Sequence, residues 1–382
     1  DGSIENMIID GQRMFFHSAG SNLFRINEEA RKIKNKKAGI SSGNLPLFLN
    51  KEIPKILEQK KSENGLSNPI KITINFQLSV PQGTIPTGEK IRVWMPFPRE
   101  NHARQQNIKL LATSQPDYIL SDSSCLQRSI YMEGTAIEGQ EAVFSYQAEY
   151  TAYSQCFTIT PEQFRPYKKD SAYHYYTSEK HPQIVFTPEI KEFSKKIIGT
   201  ETNPIKIAKK IYDAIADNYP WASAREYSTI SNIPNYVLNQ KHGDCGQVTL
   251  LFLTLCRYNG IPAKWQSGWM LHPGSKNLHD WGEIYFEGIG WIPVDQSFAR
   301  TGYDDPKKGD FFFGNIDSYH LIINDDFSVP FYPHKIHLRS ETIDFQRGEV
   351  EWRGGNCYFY QNNGSNEISH VWNYKMDVTY QE

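Results

Sequence analysis

Residues 243–262 read Gly-Asp-Cys-Gly-Gln-Val-Thr-Leu-Leu-Phe-Leu-Thr-Leu-Cys-Arg-Tyr-Asn-Gly-Ile-Pro, and this stretch decides the fold. Asp244 is a good helix N-cap, and Gln247 stands three residues on, where a capping box takes Glu or Gln. Val248 to Cys256 is apolar nearly all round, so the helix that follows is buried and central. Asn259-Gly260-Ile261-Pro262 ends it with a C-terminal glycine followed by proline. Cys245 therefore lies in the first turn, where free backbone N–H groups and the positive end of the helix dipole favour a thiolate. Cys256, deeper in the apolar stretch, reads instead as a small buried hydrophobe.

Downstream, Lys264 to Met270 reads as a strand and Leu271 to Leu278 as a loop. Next, His279-Asp280-Trp281-Gly282-Glu283-Ile284-Tyr285-Phe286 turns at Gly288 and Gly290 into Trp291-Ile292-Pro293-Val294-Asp295. Alternation puts His279, Trp281, Glu283 and Tyr285 on one face of a hairpin strand, and Trp291, Pro293 and Asp295 on one face of its partner. The two faces coincide only across an odd loop. A three-residue loop, Glu287 to Ile289, pairs Trp281 with Asp295 and leaves His279 as the diagonal neighbour of Asp295.

These residue types suit nucleophilic chemistry. A neutral thiol attacks poorly, and an imidazole in hydrogen-bond reach takes its proton and later delivers it to a leaving group. A carboxylate on the second ring nitrogen fixes the tautomer and stabilises the imidazolium. Cys245, His279 and Asp295 are the candidates for those roles. Taken singly, His279 reads as a strand-end histidine and Asp295 as a turn or cap residue; Asp280 reads as a neighbour of the site or a solvated residue.

The flanks set the architecture as α+β. Residues 1–68 read as a mostly polar helical segment, with Lys32 to Lys37 a solvated helix face beside Glu28 and Glu29. From residue 70 the period changes to two: Ile70, Ile72, Ile74, Phe76, Leu78 and Val80 alternate with polar residues. Further short alternations up to Tyr150 argue for an antiparallel β-sandwich over 69–160. Pro204 opens an amphipathic helix that carries Ile207, Ile211 and Ile215 and stops at Tyr219-Pro220. The stretch 161–382 is the core with its C-terminal strands, including a hairpin marked by Asn363-Gly364.

Composition excludes several classes. The net charge is −2, without the basic surplus that nucleic-acid binding takes. Mean hydropathy is −0.58 and no apolar run approaches the roughly 18 residues of a membrane span. Five cysteines with no CxxC spacing give no zinc or thioredoxin motif. Cys125, Cys156 and Cys357 read as structural, compatible with a disulfide in an exported protein. His334-x-x-His337 and the Asp304-Asp305 and Asp325-Asp326 pairs lack ligand spacing, so neither metal nor cofactor is expected.

The pattern GDCGQ…LCRYNGIPAKWQSGWM…HDWGEIYFEGIGWIPVDQSF resembles the core of the transglutaminase-like superfamily. It has Gly-x-Cys at a helix start, Arg-x-x-Gly-Ile-Pro-Ala, His-x-Trp on a strand and Gly-Trp-x-x-x-Asp. RVWMPFP upstream and FFFGNIDSYHLI downstream are similar to bacterial members with an immunoglobulin-like β domain before the core. The resemblance implies a papain-like architecture with a central helix packed on an antiparallel sheet. It also implies Cys245 as nucleophile, His279 as general base and acid, and Asp295 as orienting carboxylate. An oxyanion donor is implied too: the Cys245 N–H first, with Trp221, Gln240 and Trp281 as side-chain or neighbouring candidates. The expected activity is hydrolysis of a peptide or carboxamide bond in a peptide or protein substrate, through a thioester. Amine transfer, as in a transglutaminase, and a non-catalytic peptide- or glycan-binding module are the alternatives. An extracytoplasmic location is implied by the resemblance alone.

Overall fold

A computed structural model of the chain describes residues 6–9, 12–16, 18–38, 43–300, 303–327, 329–362 and 368–381. It divides into two compact units, one built from 1–57, 157–265 and 280–316, the other from 58–156, 266–279 and 317–382. The fold is α+β.

The first unit is organised around the helix Cys245–Tyr258, buried from Gly246 through Arg257. Fully burying a leucine or phenylalanine side chain contributes about 1.5–3 kcal/mol, and this helix buries Leu250, Leu251, Phe252, Leu253 and Leu255. It ends at Asn259, and Gly260 takes the left-handed conformation (φ 72°) that a side chain would oppose. Arg257, buried in the last turn, donates from Nε to the Ala263 carbonyl at 2.9 Å and from Nη1 to the Ser178 carbonyl at 3.1 Å, tying off the turn that follows. Helix Pro204–Asn218 starts as its sequence requires: the Asn203 side chain caps Ile205 N–H at 3.0 Å, with Pro204 behind it. Its inward face carries Ile207, Ile211, Tyr212 and Ile215, and Tyr212 meets Phe252 edge-on at 6.4 Å.

The hairpin of this unit pairs Ser275–Phe286 with Gly290–Val294, in the register Phe286↔Gly290, Tyr285↔Trp291, Glu283↔Pro293 and Gly282↔Val294. The loop is therefore Glu287 to Ile289, the odd length on which the face argument depended. Gly282 is where helix and strand meet. A Cβ there would lie 2.9 Å from Leu253 Cδ2, so the strand approaches the helix as only glycine allows.

The N-terminal segment differs from the helical expectation at its start. Asn6–Ile9 and Gln12–Phe15 form an antiparallel hairpin, and helices Ala19–Ile26, Glu28–Ala38 and Asn44–Glu58 follow. Isoleucines and a helix-poor Asp10-Gly11 in the sequence outweigh the helix-like spacing of a few apolar residues.

In the second unit, Leu66–Val80 pairs with Ala142–Cys156 on one side and Asn373–Gln381 on the other, and Gln105–Thr113 adds to Ala142–Cys156. Pro69 is tolerated inside the long strand because the register shifts between Ser67 and Ile70. The second sheet runs Gly355–Cys357, Glu349–Trp352, Lys90–Pro96, Ser129–Thr135, Tyr118–Leu120. Phe97 packs on Tyr146 at 5.3 Å, and Tyr146 donates to the Pro96 carbonyl, so the two sheets face each other. The expected assignment of all of 161–382 to the core is corrected here. Strands 349–352, 355–357 and 373–381 complete the two sheets, because a central strand such as Leu66–Val80 has two edges to pair. Tyr360–Asn362 pairs with Ile368–His370, and the Asn363-Gly364 turn lies outside the described residues.

Candidate active site

The capping box at the start of the central helix forms as the sequence requires. Asp244 Oδ1 accepts the Gln247 N–H at 3.0 Å, and the Asp244 N–H donates to Gln247 Oε1 at 3.2 Å. Cys245, the next residue, keeps partial solvent exposure at the mouth of an otherwise buried helix. Its Sγ donates to Asp280 Oδ2 at 3.4 Å. The Tyr227 hydroxyl donates to Asp244 Oδ1 at 2.6 Å and stands 3.4 Å from Asp280 Oδ2. Gly246 makes this cluster sterically attainable: a Cβ there would fall 2.6 Å from Asp280 Oδ2, 3.0 Å from the Trp265 ring and closer still to the Tyr227 oxygen.

The electrostatics oppose the thiolate expected from the helix dipole. Burial, then the Asp280 and Asp244 carboxylates, push the Cys245 thiol well above its ordinary value; the Asp280 N–H works the other way, and Asp295 adds to the rise. A helix N-terminus contributes about 0.3–1 kcal/mol toward an anion, less than one pKa unit is worth (about 1.4 kcal/mol). Burial also lifts Asp244, to about 6, against hydrogen bonds from Tyr227 and the helix N–H groups. Cys256 is sealed in the helix interior, and burial pushes it well up. Cys156 and Cys357 rise to about 11 for the same reason. All five cysteines are unpaired.

Asp295 is fully buried. Its Oδ1 accepts from Ser297 N–H and Oγ, both at 3.0 Å, and from Phe298 N–H at 3.1 Å. The paired register of the hairpin ends at Gly282↔Val294, one residue short of Trp281 and Asp295, and the Asp295 N–H donates to the Phe312 carbonyl at 3.0 Å. His279 stands two residues before Trp281 on the same strand and shares its face by alternation. The division between the two units falls between His279 and Asp280. In its unit His279 is 3% exposed, accepts Gln346 Nε2 on its carbonyl at 2.8 Å, and packs on the His320 ring at 5.3 Å. Of the oxyanion candidates, Trp221 bridges to Gly243 and carries the Arg25 guanidinium 4.5 Å above its ring. Gln240 is an exposed residue closing helix Ile233–Gln240, and Trp281 is fully buried.

Two features sharpen or extend the sequence reading. Asp280, read there as a neighbour of the site or a solvated residue, is 2% exposed and in contact with the sulfur. Gly282 was the available signal: a glycine two residues on lies against the buried helix, as Asp280 lies against its first turn. The other feature is His272, Asp317 and His320, all fully or nearly fully buried, with donor atoms within 4.8 Å of one another, a set that could hold a divalent ion. His272 Nε2 meets Asp317 Oδ2 at 3.0 Å and His320 Nδ1 meets Asp317 Oδ1 at 2.9 Å, so each imidazole donates directly to its own carboxylate oxygen.

Residues 191–296 match the family model of the transglutaminase-like superfamily. An uncharacterised protein of Haemophilus influenzae is 27% identical over 139 residues, which take in 30% of this chain and 38% of that one. The chain thus matches well under half the length of that relative. A solved structure of a candidate cysteine protease from Cytophaga hutchinsonii aligns with a TM-score of 0.50 at 16% identity, covering 83% of this chain and 91% of the other; it shares the fold. The periplasmic domain of TgpA from Pseudomonas aeruginosa aligns at 12% identity over 72% of this chain and 98% of its own, with a TM-score of 0.33. Among the described residues no helix is long and apolar enough to cross a membrane.

Proposed function

We propose that the chain is a cysteine-dependent hydrolase acting on a peptide or carboxamide bond, with Cys245 as nucleophile, His279 as general base and acid, and Asp295 as its orienting carboxylate. The observation that carries this reading is a partly exposed cysteine in the first turn of a capped, buried helix. His279 takes the thiol proton, sulfur bonds to the substrate carbonyl carbon, and the amine leaves with that proton. Water, deprotonated by the same imidazole, then cleaves the thioester and restores the thiol. The Cys245 N–H, which has no partner four residues earlier in its helix, is the first oxyanion donor.

Peptide-library profiling with product mass spectrometry tests the reaction. Loss of a peptide or of ammonia supports hydrolysis; amine incorporation replaces it with transamidation. Cys245→Ala is expected to abolish turnover and Cys256→Ala to leave it within about threefold, since Cys256 is remote from solvent. Equal loss in both variants would sink the assignment. The carboxylates around the sulfur favour a second reading, a non-catalytic peptide-binding module. That reading wins if Cys245→Ala binds peptide as the unmodified chain does and neither turns it over. An extracytoplasmic location belongs to the same proposal, and cell fractionation checks it.

A further inference from the structure

We propose that the Asp280 carboxylate is a positioning residue that holds Cys245 in its protonated, resting form. The inference rests on Cys245 being the reactive thiol. With Asp280 ionised, its carboxylate can only accept a hydrogen bond, and the 3.4 Å contact between Sγ and Oδ2 then places the proton on sulfur. Losing that proton would set two anions against each other in a site where 2% of Asp280 meets solvent.

The surroundings are built to keep the carboxylate there. Gly246, with no side chain, leaves the space that Oδ2 occupies. The Tyr227 hydroxyl stands between Asp244 and Asp280, 2.6 Å from one carboxylate and 3.4 Å from the other. The titratable groups in this unit whose charge acts on the thiol are Asp280 from strand Ser275–Phe286, Asp244 from the helix cap and Asp295, which follows strand Gly290–Val294, with Tyr227 bridging the first two; His279, the base of the proposed mechanism, directly precedes Asp280 in the sequence. All three carboxylates act in the same direction on the thiol. Asp280 alone contacts it through a side-chain hydrogen bond, and also offers its own N–H to the sulfur, the smaller and opposite effect. Replacing the carboxylate by an amide removes the charge and leaves that N–H in place.

The test is the pH dependence of Cys245 alkylation by iodoacetamide on the full chain, with the modified residue identified by mass spectrometry. Asp280→Asn is expected to lower the midpoint by about one unit and to raise the rate at neutral pH about tenfold, since the thiolate is the reacting form. Asp280→Glu, which keeps the charge, is expected to restore a midpoint near that of the unmodified chain. A merely structural role for Asp280 would change unfolding without this split between Asn and Glu. An unchanged or higher midpoint in Asp280→Asn overturns the proposal. Should that variant not fold, the unmodified protein still decides: its native Cys245 midpoint must exceed that of the same chain in urea, and a native midpoint at or below the unfolded one overturns the inference. Failure here is separable from failure of the enzyme reading. Turnover lost in Cys245→Ala with an unshifted Asp280→Asn midpoint removes only this proposal; a shifted midpoint with no turnover of any peptide removes only the other.

Discussion

Gly246 and Asp244 bracket the cysteine, and each sets a different cost. At Gly246 the backbone is ordinary helix, so alanine would gain up to about 1 kcal/mol of helix propensity if space allowed. Space does not allow it: the new Cβ would sit 2.6 Å from Asp280 Oδ2 and closer to the Tyr227 oxygen. Overpacking of that kind costs about 1–3 kcal/mol, so Gly246→Ala is expected to be destabilised on urea titration, and Tyr227→Phe in the same chain to recover only part of the loss. Asp244 acts through charge. Its folded value of about 6 lies above the ordinary 3.8, so the native state prefers it protonated. Its favourable contribution is complete below about pH 4 and is lost as pH rises through 6, a change on the order of 2–3 kcal/mol. Asp244→Asn keeps an acceptor for the Gln247 N–H and cannot titrate. Urea titrations between pH 4 and pH 7 should show the unmodified chain losing stability relative to Asp244→Asn across that window. Parallel curves would show that the carboxylate is not buried as described.

At the scale of elements, what could be read from the chain was local periodicity and caps. Asp244, Gln247 and Gly260 bound the central helix, and the odd spacing from Phe286 to Gly290 fixed which residues of the hairpin share a face. What could not be read was assembly at long sequence separation. Nothing near Leu66–Val80 marks Asn373–Gln381 as its partner, and a buried Asp317 between His272 and His320 joins residues 45 apart in sequence. Asp280 was legible only through Gly282, since an aspartate after a histidine reads equally well as solvated. The His272–Asp317–His320 group has its own consequence. Burial alone would raise Asp317, but the two imidazoles outweigh it and hold the carboxyl well below its ordinary range. A depressed folded value means its stabilisation is present above about pH 4 and is lost as pH falls below that. Removing one member of a buried charged group costs about 3–5 kcal/mol. Asp317→Asn is therefore expected to lower the urea midpoint sharply at pH 6 and to narrow its gap from the unmodified chain toward pH 3. A gap that stays constant with pH would mean the carboxylate is not paired with the imidazoles.

At the scale of the molecule, each unit is assembled from three separated stretches of chain, so neither is released by a single cut. The N-terminal stretch is tied into the unit that carries Cys245. Asn22, 4% exposed, donates from Nδ2 to the Ser223 carbonyl at 2.8 Å and accepts the Ser223 N–H on Oδ1 at 2.9 Å, the pairing a neighbouring strand would make. Arg25 adds a bond from Nη1 to Ser223 Oγ at 2.6 Å and lies over the Trp221 ring. The clamped segment reaches the site directly, because Ala222 N–H donates to the Gly243 carbonyl at 2.9 Å, two residues before Cys245. A buried amide deleted on one side leaves two backbone groups to be satisfied by water, at about 1–3 kcal/mol for each group left unmet. Asn22→Ala is accordingly expected to raise hydrogen exchange at the Ser223 amide at least tenfold, with a smaller rise at Ala222 and none at Leu253 in the helix interior. An unchanged Ser223 amide would mean that helix Ala19–Ile26 does not clamp the segment. Exchange raised equally at all three amides would mean that the variant loosens the whole unit, and that the first residues act on its stability and not on the loop leading to Cys245.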